Sequence, residues 1–202
     1  MKNHLLSLVV LILILIGCKS KEEPSATGPE TEAKTDSPVV KNYLPVVNFI
    51  KDEIRNVDSF FAGIKKFNIV DGKVTDSTFI TPEEFHKLAA EFVTNDLSKE
   101  YLEQHYEENS FLDQSTQAVT FTYSALDHQL PIKRIDLLTG DVNGVDKMKS
   151  LFVEKVTSSG DTTTIKRLLW KAGKNFNLIT QRSVGQLQPK VSQVKVVWDH
   201  SE

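Results

Sequence analysis

The chain has 202 residues, 40% hydrophobic and 25% charged, which leaves room for one ordinary globular domain plus attachments. Its net charge of −3 argues against an electrostatic nucleic-acid binder and gives no reason to expect attraction to an anionic membrane surface. The single cysteine excludes an intramolecular disulfide.

Met1 to Gly17 has the layout of a secretory signal. Lys2 supplies the positive start, and Leu5 to Ile16 is a nearly unbroken apolar run. At 12 residues the run is short of the roughly 20 that a transmembrane helix needs. It ends Leu15-Ile16-Gly17-Cys18, which resembles the bacterial lipobox. The resemblance implies that the Cys18 thiol is acylated, the signal is cut before it, and the new amine is acylated too. It covers only the first 18 residues. Acylation would consume the only thiol in the chain. Lys19 stands where inner-membrane retention in Gram-negative lipoproteins often uses Asp, and this implies onward transport to the outer membrane. Lys21-Glu22-Glu23 resembles the lysine-acid-acid tag of Bacteroidetes lipoproteins, an address that sends them to the outer face.

Lys19 to Lys41 reads KSKEEPSATGPETEAKTDSPVVK, rich in Pro, Ser, Thr, Glu and Lys. Such a segment cannot bury a core and is expected to be a disordered tether. Its 23 residues would span roughly 25 Å as a flexible chain. Loss of the signal removes Lys2, so 23 basic residues would face 27 acidic ones and the mature chain would carry −4. The expected organisation is residues 1–17 as signal, 18–41 as lipidated cysteine and tether, and 42–202 as a single domain.

Within that domain a first helix is expected from about Leu44 to Lys66. Val46, Val47, Ile50, Ile54, Val57, Phe61 and Ile64 recur there at spacings of three and four, with Pro45 in the first turn. FNIVDGKVTDSTFI follows, and Asp71-Gly72 marks a two-residue hairpin turn between β-prone runs. Thr81-Pro82-Glu83-Glu84 opens a second helix with a cap, a proline at the first position and acid in the first turn. Ser98 caps a third, reaching about Glu107.

From Gln117 the pattern turns to strand. Val119, Phe121, Tyr123 and Ala125 alternate with Thr120, Thr122 and Ser124. Further runs follow at Ile132 to Leu138, Met148 to Val156, Thr162 to Lys171, Lys174 to Arg182 and Val191 to Trp198, with Thr139 to Gly144 read as a loop. About six strands with short links predict an antiparallel meander. Leu168 and Leu169 occupy opposite faces of one strand, so it should be central and covered on both sides, with Trp170 beside Leu168. The expected fold class is α+β, with N-terminal helices packed on a curved antiparallel sheet of about six strands. Cystatin-like and NTF2-like folds are analogies of architecture only.

No chemistry-bearing motif stands out. His86, His105, His128 and His200 have no ligand-spaced partners, and no HExxH, paired CxxC, EF-hand loop, G-x-S-x-G elbow or phosphate loop occurs. Asp199-His200-Ser201 juxtaposes triad residue types at a terminus that is expected to fray. Glu83-Glu84 and Glu107-Glu108 read as solvated helix faces rather than a glycosidase pair. Lys166, Arg167, Lys171 and Lys174 read as solubilising strand charges, and Trp170, Phe176 and Trp198 as core aromatics. The expectation is therefore no catalytic residue, no metal and no cofactor. The site residues are Cys18 for lipidation and Lys21, Glu22 and Glu23 for export. The partners expected are the outer membrane, through the anchor, and a protein or glycan; nucleic acid is not among them. The functional expectation is a non-enzymatic binding or structural lipoprotein on the outer membrane, exposed at the cell surface. The alternatives are a periplasmic-facing assembly or lipid-handling lipoprotein and, behind it, a surface hydrolase.

Overall fold

A computed structural model describes residues 41, 43–59, 63–142 and 145–199. All of these belong to one compact unit, Val40–Glu202. The signal, Cys18, Lys21, Glu22, Glu23, nearly all of the tether and His200 lie outside the described residues.

Helix α1, Val46–Asp58, buries Val46, Ile50 and Val57 on one face. It is shorter than its periodicity predicts. Ser59 closes it, and the chain resumes as strand β1, Ile64–Val70. Ile64 continues the helical spacing of the apolar residues, yet β1 pairs on both sides, with β2, Lys73–Ile80, and with the last strand, β9, Lys190–Val197. A ladder on each side outweighs a periodicity that local sequence alone would follow. Asp71 and Gly72 both take positive φ, 47° and 78°, as the predicted two-residue turn requires.

Helix α2, Pro82–Ala89, begins as expected: the Thr81 hydroxyl accepts the Glu84 N–H at 3.3 Å, and Phe85 and Ala89 are buried one turn apart. Thr81→Ala should cost about 1 kcal/mol, read as a lower urea midpoint with an unchanged slope. Two single 3₁₀ turns bury Phe92 and Leu97. Helix α3, Lys99–His105, follows with Ser98 accepting from the Tyr101 N–H at 3.3 Å and Leu102 buried.

The strands then run β3, Tyr106–Asp113; β4, Ala118–Ala125; β5, Ile132–Val142; β6, Val145–Ser159; β7, Thr162–Lys171; β8, Asn175–Val184; and β9. Each pairs antiparallel with the next. The β1–β2 hairpin joins the far side of β9, giving one nine-stranded sheet in the order β2-β1-β9-β8-β7-β6-β5-β4-β3.

This corrects the expected architecture. N-terminal helices packed on a six-stranded sheet, and with them the cystatin-like and NTF2-like analogies, do not describe the chain. The helices are short, and two of them sit between β2 and β3 in sequence. Three strands beyond the meander of β4–β9 complete the sheet. The expected loop from Thr139 is strand as far as Val142. Strand β3 replaces the expected end of α3 and had no sequence signal, because its pattern is inverted: Glu108 is buried while Phe111 is 69% exposed. Glu108 stands opposite Tyr123 in the β3–β4 register, and the Tyr123 phenol, pushed up by burial, is hydrogen-bonded to that carboxyl. Asp113 closes the β3–β4 turn, accepting from the Ser115 N–H at 2.9 Å, the Ser115 hydroxyl at 2.6 Å and the Thr116 hydroxyl at 2.8 Å. Those bonds hold its carboxyl at about 2.

Only one face of the sheet is covered by helices. Its core is aromatic: the Trp170 ring lies 5.1 Å from Phe92, 5.1 Å from Phe176 and 5.4 Å from Trp198, and Phe85 from α2 lies 5.6 Å from Trp198. Tyrosines fasten the start of the domain to the β3 side. Tyr43 donates to the Tyr106 carbonyl at 2.8 Å, Tyr106 to the Ile132 carbonyl at 3.0 Å, and the Tyr123 oxygen accepts the Leu44 N–H at 3.1 Å.

Candidate functional site

The face away from the helices carries the feature that most resembles a binding site. Strand β7 is the fifth of nine and so the central strand. Leu168 and Trp170 point to the helices and are each 1% exposed, while Leu169 points the other way and is only half-buried. The expectation that both leucines are fully covered is corrected: helices, loop 185–189 and sheet curvature leave the Leu169 side open.

Register shows what surrounds it. Asn177, Leu169, Phe152, Asp136 and Thr122 form one transverse row across β8 to β4, and Asn175, Lys171, Ser150, Leu138 and Thr120 form the next. Together they border an open groove of about 620 Å³. Its floor is Leu138, Phe152 and Leu169 from three neighbouring strands, and its flanks are amides and hydroxyls. A volume of that order with an apolar floor and few polar groups is the usual form of a small-ligand cleft.

A β-bulge shapes one end. Leu138 pairs with Ser150 but Thr139 with Met148, so Lys149 is the extra residue on β6. The Lys149 side chain lies across Gly140, where any Cβ would collide with its Cε and Nζ. Glycine at 140 therefore makes room for the lysine, which lines the groove together with Lys171. Neither lysine forms an ion pair among the described residues. Two acids on this face are already held: Asp136 accepts from the Thr122 hydroxyl at 2.8 Å and from Arg134 Nε at 2.9 Å, and Glu154 accepts from Arg167 Nε at 2.9 Å. Among the described residues, Lys149 and Lys171 thus leave positive charge without an acidic partner at the groove end. Gln193 Nε2 donates to Asn177 Oδ1 at 2.7 Å, and Asn177 Nδ2 to Asn175 Oδ1 at 3.3 Å, which orders the amide flank.

The residues weighed on sequence grounds do not converge. His86 Nε2 meets Asp58 Oδ1 at 2.7 Å between α2 and α1. His105 Nδ1 meets the Tyr101 carbonyl at 2.9 Å and its ring stacks on Tyr101, and His128 sits in an exposed turn. Among the described residues no group of three or more His, Cys, Asp or Glu is placed to hold a metal ion. Glu83-Glu84 lies in the first turn of α2, with Glu84 bound to Lys66. Glu107-Glu108 is on a strand, not a helix face, so the two carboxylates point to opposite sides of the sheet. The four basic residues near the β7–β8 turn divide as well: Lys166 turns to the helix side and meets Glu91 at 2.9 Å, Arg167 to the open side. Trp170, Phe176 and Trp198 are all buried in the core.

A second, polar cleft of about 480 Å³ lies between α1 and α3 near Pro45, with Lys51 and Lys99 on its rim. Among the described residues no helix is long and apolar enough to cross a membrane. Sequence reasoning missed Lys149 and Gly140 because a bulge is a property of two paired strands, and neither strand shows it alone. No family model, curated protein or solved structure matches the chain.

Proposed function

We propose that the chain is a lipoprotein of the outer membrane, held through Cys18 and exposed at the cell surface, that works by binding rather than by catalysis. The observation that carries the anchor is the lipobox Leu15 to Cys18 followed by a polar tether rich in Pro, Ser, Thr, Glu and Lys. Support for binding comes from the open face of the sheet. It presents an apolar-floored groove, while its carboxylates are tied to arginines instead of being directed at a common point. A protein or glycan partner engaging that face fits a domain carried on a tether from a lipid anchor.

Replacing Lys21, Glu22 and Glu23 with alanine should leave acylation intact and abolish cleavage by protease added to whole cells. Unchanged cleavage would return the three residues to plain tether. Single alanine replacements of His86, His105, His128 and His200 should leave any cellular phenotype of the gene unchanged. One of them abolishing function in a folded domain would count against the non-catalytic reading. The apolar floor also favours a second reading, a periplasmic-facing lipoprotein that handles lipids. Resistance of the unaltered protein to protease on intact cells would support it over the first.

A further inference from the structure

We infer that the groove on the open sheet face binds a single-chain anionic amphiphile, with its carboxylate at Lys149 and Lys171 and its hydrocarbon body over Leu138, Phe152 and Leu169. The inference rests on the open face being the binding face, and it deepens the lipid-handling reading of that face by naming the chemical class of its ligand.

Three observations lead to it. First, the floor is apolar yet only half-buried, on the central strands of a sheet whose opposite face already has a complete core. Phe152 and Leu169 are paired on β6 and β7 and Leu138 lies diagonal to Phe152 on β5, so the three form a strip about 10 Å across, since neighbouring strands lie about 4.8 Å apart. Covering such a strip with hydrocarbon is favourable, at about 25 cal/mol per Å² of apolar surface removed from water.

Second, the unpaired charges lining the groove are, among the described residues, of one sign. Asp136 and Glu154 are neutralised by Arg134 and Arg167, whereas Lys149 and Lys171 have no acidic partner among the described residues. Two ammonium groups with free donors, beside the Ser150 hydroxyl and the Asn175 amide, complement a small anionic head. Third, Lys149 is placed there by construction. The bulge gives β6 one more residue than its partner, and the bare Cα of Gly140 leaves the surface over which the lysine folds. A volume of about 620 Å³, two side-chain rows wide, suits one hydrocarbon chain rather than the two of a bilayer phospholipid.

The test uses the mature chain, residues 18–202 with Cys18→Ser, so that its own acyl groups cannot occupy the groove. Calorimetric titration with laurate below its micellar concentration should show one site per chain. 1-Dodecanol, with the same body and no charge, should bind about tenfold more weakly or worse. The double variant Lys149→Ala/Lys171→Ala should weaken laurate binding about tenfold, with circular dichroism and urea midpoint unchanged, and Leu138→Asn should weaken both ligands. No binding of laurate would overturn the inference, as would binding that the lysine and Leu138 variants leave intact. Binding only to phosphatidylglycerol vesicles would overturn it in favour of a membrane-facing surface. Because the anchor is absent from this protein, failure here is separate from failure of the lipoprotein reading, which acylation of Cys18 decides.

Discussion

Trp170→Ala is expected to remove a large share of the domain's stability, about 3–5 kcal/mol of a total of about 5–15 for a domain of this size. Trp170 sits on the central strand at 1% exposure, and three aromatic rings lie within 5.4 Å of its own. Its indole N–H finds no hydrogen-bond acceptor among the described residues, so packing is what holds the ring in place there. Truncation would leave a cavity between α2, the 3₁₀ turn at Phe92 and the sheet, with rings on every side that cannot collapse without leaving their rotamers. The urea midpoint should fall sharply. Leu168→Ala, on the same face, should cost about 2–5 kcal/mol. Leu169→Ala, one residue away, should cost clearly less, because that side chain is already partly in water. A Trp170→Ala protein with a near-native midpoint would show that the aromatic cluster is not the core.

Loss of the anchor should be as large an effect in its own measurement. Intact-mass analysis of membrane-extracted protein is expected to show a chain beginning at Cys18 with the mass of acyl chains added. Cys18→Ser should abolish acyl incorporation altogether, since no other thiol exists. Each buried methylene contributes about 0.8 kcal/mol, so one chain holds only reversibly and two or more hold essentially permanently. A native N-terminus beyond Cys18, or an unmodified thiol, would sink the lipoprotein reading and with it the proposed location.

Features set by near neighbours were legible in the sequence. Asp71-Gly72 specifies a turn because both residues must take positive φ, and it does so wherever the hairpin lies. Thr81 and Ser98 each serve as a helix cap because the bond runs three residues along the same chain. The alternation from Val119 to Ala125 located β4, and five further runs located β5 to β9. The central place of β7 followed from leucines on both of its faces.

Tertiary structure decided what depends on partners distant in sequence. Ile64 fits the helical stripe of α1 as well as it fits β1, and only the ladders to β2 and β9 choose between them. Tyr106–Asp113 alternates the wrong way for a half-buried strand, because Tyr123 across the sheet takes up the buried Glu108. The sheet has nine strands and not six because β3 pairs with β4 at one edge and the first hairpin docks on the last strand at the other, the latter a contact between residues more than a hundred positions apart. The groove belongs to the same class. Leu138, Phe152 and Leu169 each look like core residues in sequence, and what leaves them open is that the helices cover only the other face. Local backbone preferences act over a few residues and can be read along the chain; which face stays open to water is settled by long-range pairing and packing.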